Sequence, residues 1–295
     1  MLTLQEILIQ ARHENKAIGH FNISTLEMLR GIAEAAKEAG GVPTLIGTSE
    51  NEAQFLGYRH AVALIQSFRE EYKLPFFLNA DHHKSVESAK KAIDAGYDSV
   101  HIDLSKLPYE ENLTGTKEVV EYAREHEAHA MEHGTRISVE GELGYLPTDS
   151  SKVFNEAVEI NPEDFTKPDQ AQEFIKKTGI DRFAPAVGNF HGMSTIMEKK
   201  LDFERIRLIR GAMPEEVAFV LHGGSGTSHE QITQAVQLGM NNVHISTELR
   251  VAYTEALRKS LADHPDETTP YKLLPDVVDA VKKVVFQKLL LFGTQ

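Results

Sequence analysis

The 295-residue chain contains no cysteine, which removes disulfides, thiolate catalysis and cysteine-ligated zinc fingers from consideration. It has no apolar run approaching the roughly 18–20 residues needed to span a bilayer. Positive charge is in deficit: 31 Lys and Arg face 44 Asp and Glu, a net charge of −13. Such a surface repels phosphate polymers, so no nucleic-acid partner is expected, although local basic pockets for small anions are compatible with it. No signal peptide is read at the start, because MLTLQEILIQARHENK has the pattern of a short amphipathic helix with charges throughout. The expectation is a soluble, cytoplasmic protein with no membrane partner. The remaining composition, 41% hydrophobic and 25% charged, is that of an ordinary globular chain able to bury one large core.

Short β-branched runs alternate with longer helical patterns. Eight strands are predicted, at Ala17–Asn22, Val42–Gly47, Phe76–Ala80, Ser99–Asp103, Arg136–Glu142, Arg182–Gly188, Val217–Leu221 and Asn242–Ser246. Helical patterns between them include Leu26–Ala39, Glu50–Tyr72, Ser85–Ala95, Glu118–His133 and Ser228–Leu238. Leu26, Ile32, Ala33 and Ala36, for example, recur at the spacing of one helix face. Gly40, Gly96 and Gly239 stand where left-handed caps end helices, and Ser228 with Gln231 has the spacing of a capping box.

Strict alternation predicts a parallel sheet covered by helices. Eight units favour a single-domain α/β fold, a (β/α)8 TIM barrel spanning 1–295, over a doubly wound open sheet with fewer strands. The segment Tyr145–Thr166 carries Pro147, Asp149 and Pro162 and is expected to form a mobile loop. A C-terminal helix over about 275–291, with Val277, Val278, Val281, Val284 and Val285 along one stripe, should close the barrel or join a subunit contact.

Residues of catalytic type gather where the predicted strands end. Strand three runs into Asp81-His82-His83, strand four into Asp103, and strand five carries Glu140 and Glu142. Strand six is followed by Gly188-Asn189-Phe190-His191-Gly192, strand seven by His222-Gly223-Gly224-Ser225-Gly226, and strand eight leads from His244 to Glu248. In a barrel these ends share the face on which active sites are built. Singly, each histidine reads more readily as a structural residue. Together, His82, His191 and His222 from three strand ends suit an all-histidine catalytic zinc site with an open fourth position. His83 should point away, since neighbours on an extended segment face opposite sides.

The other candidates carry plainer readings beside the functional ones. His126, His129 and His133 share one helix face, which reads as a solvated surface. The glycine run after strand seven leads into a helix and suits phosphate, although a tight turn explains glycines equally well. Asp81, beside a zinc ligand, is placed for proton transfer. Asp103 and Glu142 suit a second cation or the orientation of the ligands. Glu140 reads equally as a helix cap.

These residues resemble the zinc-dependent class II ketose-bisphosphate aldolases, which include fructose- and tagatose-bisphosphate aldolases. The resemblance runs over essentially the whole chain. It is carried by Phe21-Asn22, Asn79-Ala-Asp-His-His, Val100-His-Ile-Asp-Leu-Ser105, Val139-Glu-Gly-Glu-Leu-Gly144, Ala186-Val-Gly-Asn-Phe-His-Gly192, Leu221-His-Gly-Gly-Ser-Gly226 and Val243-His-Ile-Ser-Thr-Glu248. It implies that His82, His191 and His222 bind the catalytic zinc and that Asp81 is the acid/base at the C4 hydroxyl. It further implies that Asp103 and Glu142 bind a second or alternative divalent metal. Asn22, Gly188, Gly192, Gly223, Gly224, Ser225, His244, Ser246 and Thr247 then form the substrate and phosphate set, where Na+ or K+ often helps. The implied reaction is reversible cleavage of a ketose phosphate, fructose or tagatose 1,6-bisphosphate, to glycerone phosphate and glyceraldehyde 3-phosphate, with zinc stabilising the enediolate. A homodimer or homotetramer follows from family precedent.

Departures from the family pattern matter as much. His244 stands where the family usually has an asparagine that contacts the triose. After Glu-Leu-Gly the chain reads Tyr145-Leu-Pro-Thr-Asp-Ser-Ser-Lys, with Glu156 and Glu159 further on, so Glu156 is the candidate loop carboxylate. The arginine used by the family for the distal phosphate has no clear match, and Arg250 and Lys272 are the substitutes on offer. Two other functions share these residues: a zinc hydrolase on a barrel, and a non-catalytic sugar-phosphate-binding paralogue. A hydrolase of that kind commonly has His-x-His on its first strand, where this chain has only His20. A pure binder has little use for Asp81.

Overall fold

The computed structural model of the protein describes residues 2–129, 136–147 and 152–293. Eight parallel strands form a closed barrel. They are β1 (Ile18–Asn22), β2 (Thr44–Ser49), β3 (Phe76–His83), β4 (Ser99–Ile102), β5 (Ser138–Leu143), β6 (Arg182–Pro185), β7 (Ala218–Leu221) and β8 (Asn242–Ile245). Each pairs with its sequence neighbours, and β8 returns to β1 with Ile18 opposite Asn242. Each predicted run overlaps one of these strands. The largest extension is at β3, which continues through Asp81, His82 and His83 with a register shift against β4.

Helices differ more from expectation. The predicted Glu50–Tyr72 helix breaks at Gly57, whose φ of +86° suits glycine, into Glu50–Leu56 and Tyr58–Tyr72. Another begins earlier than expected and covers Tyr109–His129, while residues 130–135 lie outside the described part. Ser228 accepts from the Gln231 N–H, but the Gln231 side chain serves Leu201 and Lys199 backbone groups, so the expected box is only half made. Pro168–Thr178, Phe203–Ala212 and Thr247–Asp263 are additional helices. The C-terminal helix spans Pro275–Leu291 and packs on Leu26–Glu38 and Thr247–Asp263. Of the expected loop at 145–166, residues 148–151, including Asp149, lie outside the described part; Val153–Phe154 pair in parallel with Met193–Ser194. Among the described residues no helix is long and apolar enough to cross a membrane.

Two apolar layers and one polar layer make the interior. Outward strand residues such as Phe21, Ile46, Leu78, Val139, Phe183 and Val243 are buried under the helices, each worth roughly 1.5–3 kcal/mol of burial. At the N-terminal end of the barrel, Leu4, Ile7, Leu8 and Ala11 of the helix Leu4–His13 meet Ile18, Leu45, Phe77 and Ala218 and plug the opening. Between plug and mouth the axis is polar. Arg182, fully buried, reaches Glu140 at 2.7 Å, Asn79 at 2.7 Å, Ser138 at 3.2 Å and Asn242 at 3.2 Å. Barrels usually fill this space with branched apolar side chains. Here the hydrogen-bonded guanidinium does so, and it supports the residues above it.

Candidate active site

Above Arg182, the C-terminal ends of β3, β4, β5 and β7 bring histidines and carboxylates together. Asp81, His82, His101 and His222 each place one ligand atom within 4.8 Å of the others. His82, Asp103 and Glu142 form an adjoining group of the same kind. His191 lies beside them, its ring centroid 4.6 Å from His82 and 5.9 Å from His222. His101, on β4 and second in the Val100–Ser105 motif, is thus inside the cluster although sequence reasoning did not single it out.

Hydrogen bonds to acids decide which ring nitrogens carry protons. His222 Nε2 donates to Glu140 Oε1 at 2.7 Å, and His82 Nδ1 donates to Asp103 Oδ2 at 2.9 Å. The opposite nitrogen of each ring then keeps its lone pair when the ring is neutral. Burial by itself lowers the His82 pKa, but Asp81, Asp103 and Glu142 outweigh it and raise the value to about 10. Burial, reinforced by nearby His244 and His82, holds His222 well below the ordinary histidine value. Asp103 and Glu142 separate: burial opposes ionisation of both, yet the His82 bond holds Asp103 well down, whereas burial and the Asp103 charge hold Glu142 well up. His82 itself has a positive φ of +49°, a conformation that non-glycine residues seldom adopt and that here turns its ring toward Asp103.

Asp81 sits at the base of this mouth. Its Oδ2 accepts from Asn22 Nδ2 at 2.9 Å, and His244 Nδ1 lies 3.3 Å from its Oδ1. Asn22 also donates to Glu52, whose other oxygen receives Arg250 at 2.6 Å. Burial would raise the Asp81 pKa, but adjacent His82 overrides it and holds the group well down, as a carboxylate. His244 stacks on His20 with centroids 3.6 Å apart, and Gly47 makes the room, since a Cβ there would lie 2.2 Å from His20.

The loops after β6 and β7 pack against one another. Asn189 Nδ2 donates to the His222 carbonyl at 3.0 Å. Gly223, with φ of +68°, has no space for a side chain, because a Cβ would meet the Phe190 carbonyl oxygen at 2.3 Å. Ser225 Oγ accepts from the Ser246 and Glu248 N–H groups at 3.1 and 3.3 Å, which ties the β7 loop to the start of the helix Thr247–Asp263. Gly188, Gly192 and Gly224 line the same pair of loops, with Thr247 buried at the helix start. Lys199 also enters here, buried, with its Nζ donating to the carbonyls of Gly192, Gly223 and Ser225. Burial lowers its pKa to about 7, against the charge of Glu248. Three carbonyl acceptors nevertheless require three N–H groups, which only the ammonium has.

A cavity of about 640 Å3 opens above the cluster, lined by His82, Asp103, Glu142, His191, Glu52, Arg250, Lys84 and Lys106 among others. A larger groove of about 1030 Å3 lies at the opposite end, around Gln5, Asp181 and Val217, and its lining includes no histidine. The histidine and carboxylate cluster is therefore at the smaller opening. His83 turns away, as expected, and its Nδ1 meets the Ser88 carbonyl at 3.0 Å. Glu156 and Glu159 are exposed and do not line the cavity. Lys272 pairs with Glu267 at 3.0 Å, also away from the lining residues. His126 is half exposed beside Asp94, while the side chains of His129 and His133 lie outside the described part.

A closed barrel with buried histidines and carboxylates at its strand ends, next to a glycine loop and a helix start, places the chain among the TIM-barrel enzymes. A family model, "Fructose-bisphosphate aldolase class-II", matches residues 2–295, and the chain belongs to that family of zinc-dependent lyases. It is 36% identical to the fructose-bisphosphate aldolase of Geobacillus stearothermophilus, covering 100% of this chain and 97% of that one. Identity to the fructose-bisphosphate aldolase of Staphylococcus aureus strain Mu50 is 34%, over 100% and 98% of the two chains. Among solved structures, the YdjI aldolase of Escherichia coli K12 superimposes with a TM-score of 0.80 at 32% identity, covering 100% and 98%. The fructose-bisphosphate aldolase of Campylobacter jejuni has a TM-score of 0.79 at 19% identity, over 99% and 94%, and shares the fold.

Proposed function

We propose that this protein is a class II aldolase that reversibly cleaves fructose 1,6-bisphosphate or tagatose 1,6-bisphosphate to glycerone phosphate and glyceraldehyde 3-phosphate. The observation that carries the reading is Asp81: a buried carboxylate between His82 and His244, aimed by Asn22, at the mouth of a closed barrel.

The residues fit a divalent metal. Nitrogen and carboxylate donors converge within 4.8 Å, and buried His101 Nε2 and Glu142 Oε2 make no hydrogen bond among the described residues. His82, His191 and His222 would hold zinc, and Asp103 and Glu142 would serve a second divalent cation. Zinc there supplies a Lewis acid toward the ketose carbonyl.

The chain's own groups do the rest. Asp81 takes the proton of the C4 hydroxyl as the C3–C4 bond breaks, its electron pair passing to C3 while C4 becomes the aldehyde carbonyl. Asn22 holds Asp81 in place, and His244 offers the triose a ring in the position where the family has asparagine. Gly188, Gly192, Gly223, Gly224, Ser225, Ser246 and Thr247 cradle the proximal phosphate with backbone N–H groups, hydroxyls and a helix start. Arg250 reaches the distal phosphate from the cavity wall, whereas Lys272 and Glu156, which do not line the cavity, are given no part in the chemistry. Glu140 holds His222. Cytoplasmic location and a homodimer or homotetramer accompany the reading.

The test is retro-aldol cleavage of fructose 1,6-bisphosphate and its tagatose epimer, with coupled detection of glycerone phosphate, with and without a zinc chelator. Chelator-sensitive release is expected. No release of glycerone phosphate from zinc-loaded protein with either ketose would overturn the assignment.

A further inference from the structure

Three backbone carbonyl oxygens converge on one point behind the glycine loops. Those of Gly192, Gly223 and Ser225 lie 2.9, 2.6 and 2.6 Å from Lys199 Nζ. A cluster of carbonyl oxygens is the donor set that binds hard cations such as potassium or sodium. Here the point is filled from within the chain. Lys199 is 1% exposed, and its ammonium lies 4.5 Å from the centre of the Phe190 ring. The backbone behind it is held on both sides by Gln231, which donates to the Lys199 carbonyl at 2.6 Å and accepts from the Leu201 N–H at 2.8 Å. The side chain is therefore built into the site and has no route to swing into solvent without unpacking these loops.

The charge is also uncompensated. Glu248, the carboxylate whose field reaches Lys199, is already engaged by Lys288 at 2.8 Å and by the Gly226 N–H at 2.9 Å. Among the described residues Lys199 forms no ion pair, and a buried charge without a partner is costly. An anion bound by the adjoining glycine loop would supply the partner.

We propose that Lys199 is a built-in monovalent cation: its ammonium occupies the carbonyl cage in place of potassium or sodium, ties the β6 loop to the β7 loop, and provides the positive charge that the substrate's proximal phosphate meets. This rests on the aldolase reading only for the identity of the anion. It makes cleavage independent of added K+ or Na+, and it gives the phosphate site a cation that does not dissociate.

Zinc-loaded full-length enzyme is assayed in a tetramethylammonium buffer, with KCl or NaCl added, alongside Lys199→Ala and Lys199→Met. Wild-type activity should not change on adding either salt; activation by K+ or Na+ overturns the proposal. Lys199→Ala opens the cage and should raise KM for the ketose bisphosphate by roughly 10- to 100-fold, the worth of a charge-assisted hydrogen bond, with a smaller fall in kcat. Potassium should restore it. Lys199→Met fills the cage with an uncharged chain and should not be restored. Thallium NMR reads the cage without catalysis: Tl+ should bind saturably to Lys199→Ala and not to wild type. Equal binding by both proteins, or an alanine variant that neither binds Tl+ nor responds to K+, overturns the idea. Thallium binding by the alanine variant, with no ketose cleaved by wild type, would uphold the cage and defeat the aldolase reading. Potassium-dependent cleavage by wild type would do the reverse.

Discussion

Glu140 joins His222 and Arg182 through its two carboxylate oxygens, 2.7 Å from each, and all three side chains are buried. The carboxylate orients the imidazole from below while the guanidinium keeps the carboxylate charged. Glu140→Gln preserves the shape and should weaken zinc binding roughly 10- to 100-fold with the fold intact, as read by competition with a chelating dye. Glu140→Leu strands Arg182 without a counter-charge and should cost about 3–5 kcal/mol in denaturant unfolding. A leucine variant as stable as wild type would show that Arg182 finds its partners elsewhere.

Asp81 can be separated from metal binding. Asp81→Ala should retain zinc by elemental analysis and lose cleavage by roughly 10²- to 10⁴-fold, the range for a removed general base. Turnover close to that of wild type would take Asp81 out of the chemistry.

Zinc binding should release protons. In the metal-free protein the neighbouring acids raise His82 to about 10 despite its burial, so at pH below that value it must lose a proton before its nitrogen can ligate. Apparent zinc affinity should thus climb with pH, about tenfold per unit for each proton displaced. Calorimetry in buffers of different ionisation heat counts the protons, and a count of zero near neutral pH would mean that His82 is already neutral.

Arg250 borders the cavity and pairs with Glu52. If it meets the distal phosphate, Arg250→Met should raise KM for a ketose 1,6-bisphosphate by roughly 10- to 100-fold and leave KM for the corresponding 1-phosphate near its original value. An equal rise for both substrates would assign Arg250 to holding Glu52 and Asn22.

The plug under the barrel is a stability element remote from the chemistry. Leu8 is fully buried among Ile18, Leu45 and Phe77. Leu8→Ala should cost about 2–5 kcal/mol, seen as a lower denaturant midpoint, with kcat unchanged in the folded protein.

The barrel was legible because each β-branched run is followed by a helix-period segment, and the parallel sheet with covering helices follows from that alternation. Strand-end residues such as Asp81, His82 and His222 were legible for the same reason, since the topology collects strand ends on one face. The residues inside the barrel were not. His20, Asn79 and His101 sit within strands and Arg182 opens β6, where apolar side chains are the usual expectation. The signal was nonetheless present in the pleat: His20 and Asn22, Asn79 and Asp81, Ser99 and His101, Ser138, Glu140 and Glu142, and Asn242 and His244 are polar at every second position. Lys199 gives no such sign. In Glu198-Lys199-Lys200 it reads as part of a solvated loop, and only the convergence of three carbonyls from two other loop stretches shows its place.

Arg182 also works as a check on strand register. Its hydrogen bonds and ion pair reach β3, β5 and β8 from β6, so four strands must be aligned before the guanidinium is satisfied. A slip of β6 by one residue would turn Phe183 into the axis and push a charged side chain among the covering helices. A misaligned barrel would therefore forfeit the same contacts that hold Glu140 under His222. A correctly closed barrel and a correctly assembled mouth are accordingly one state.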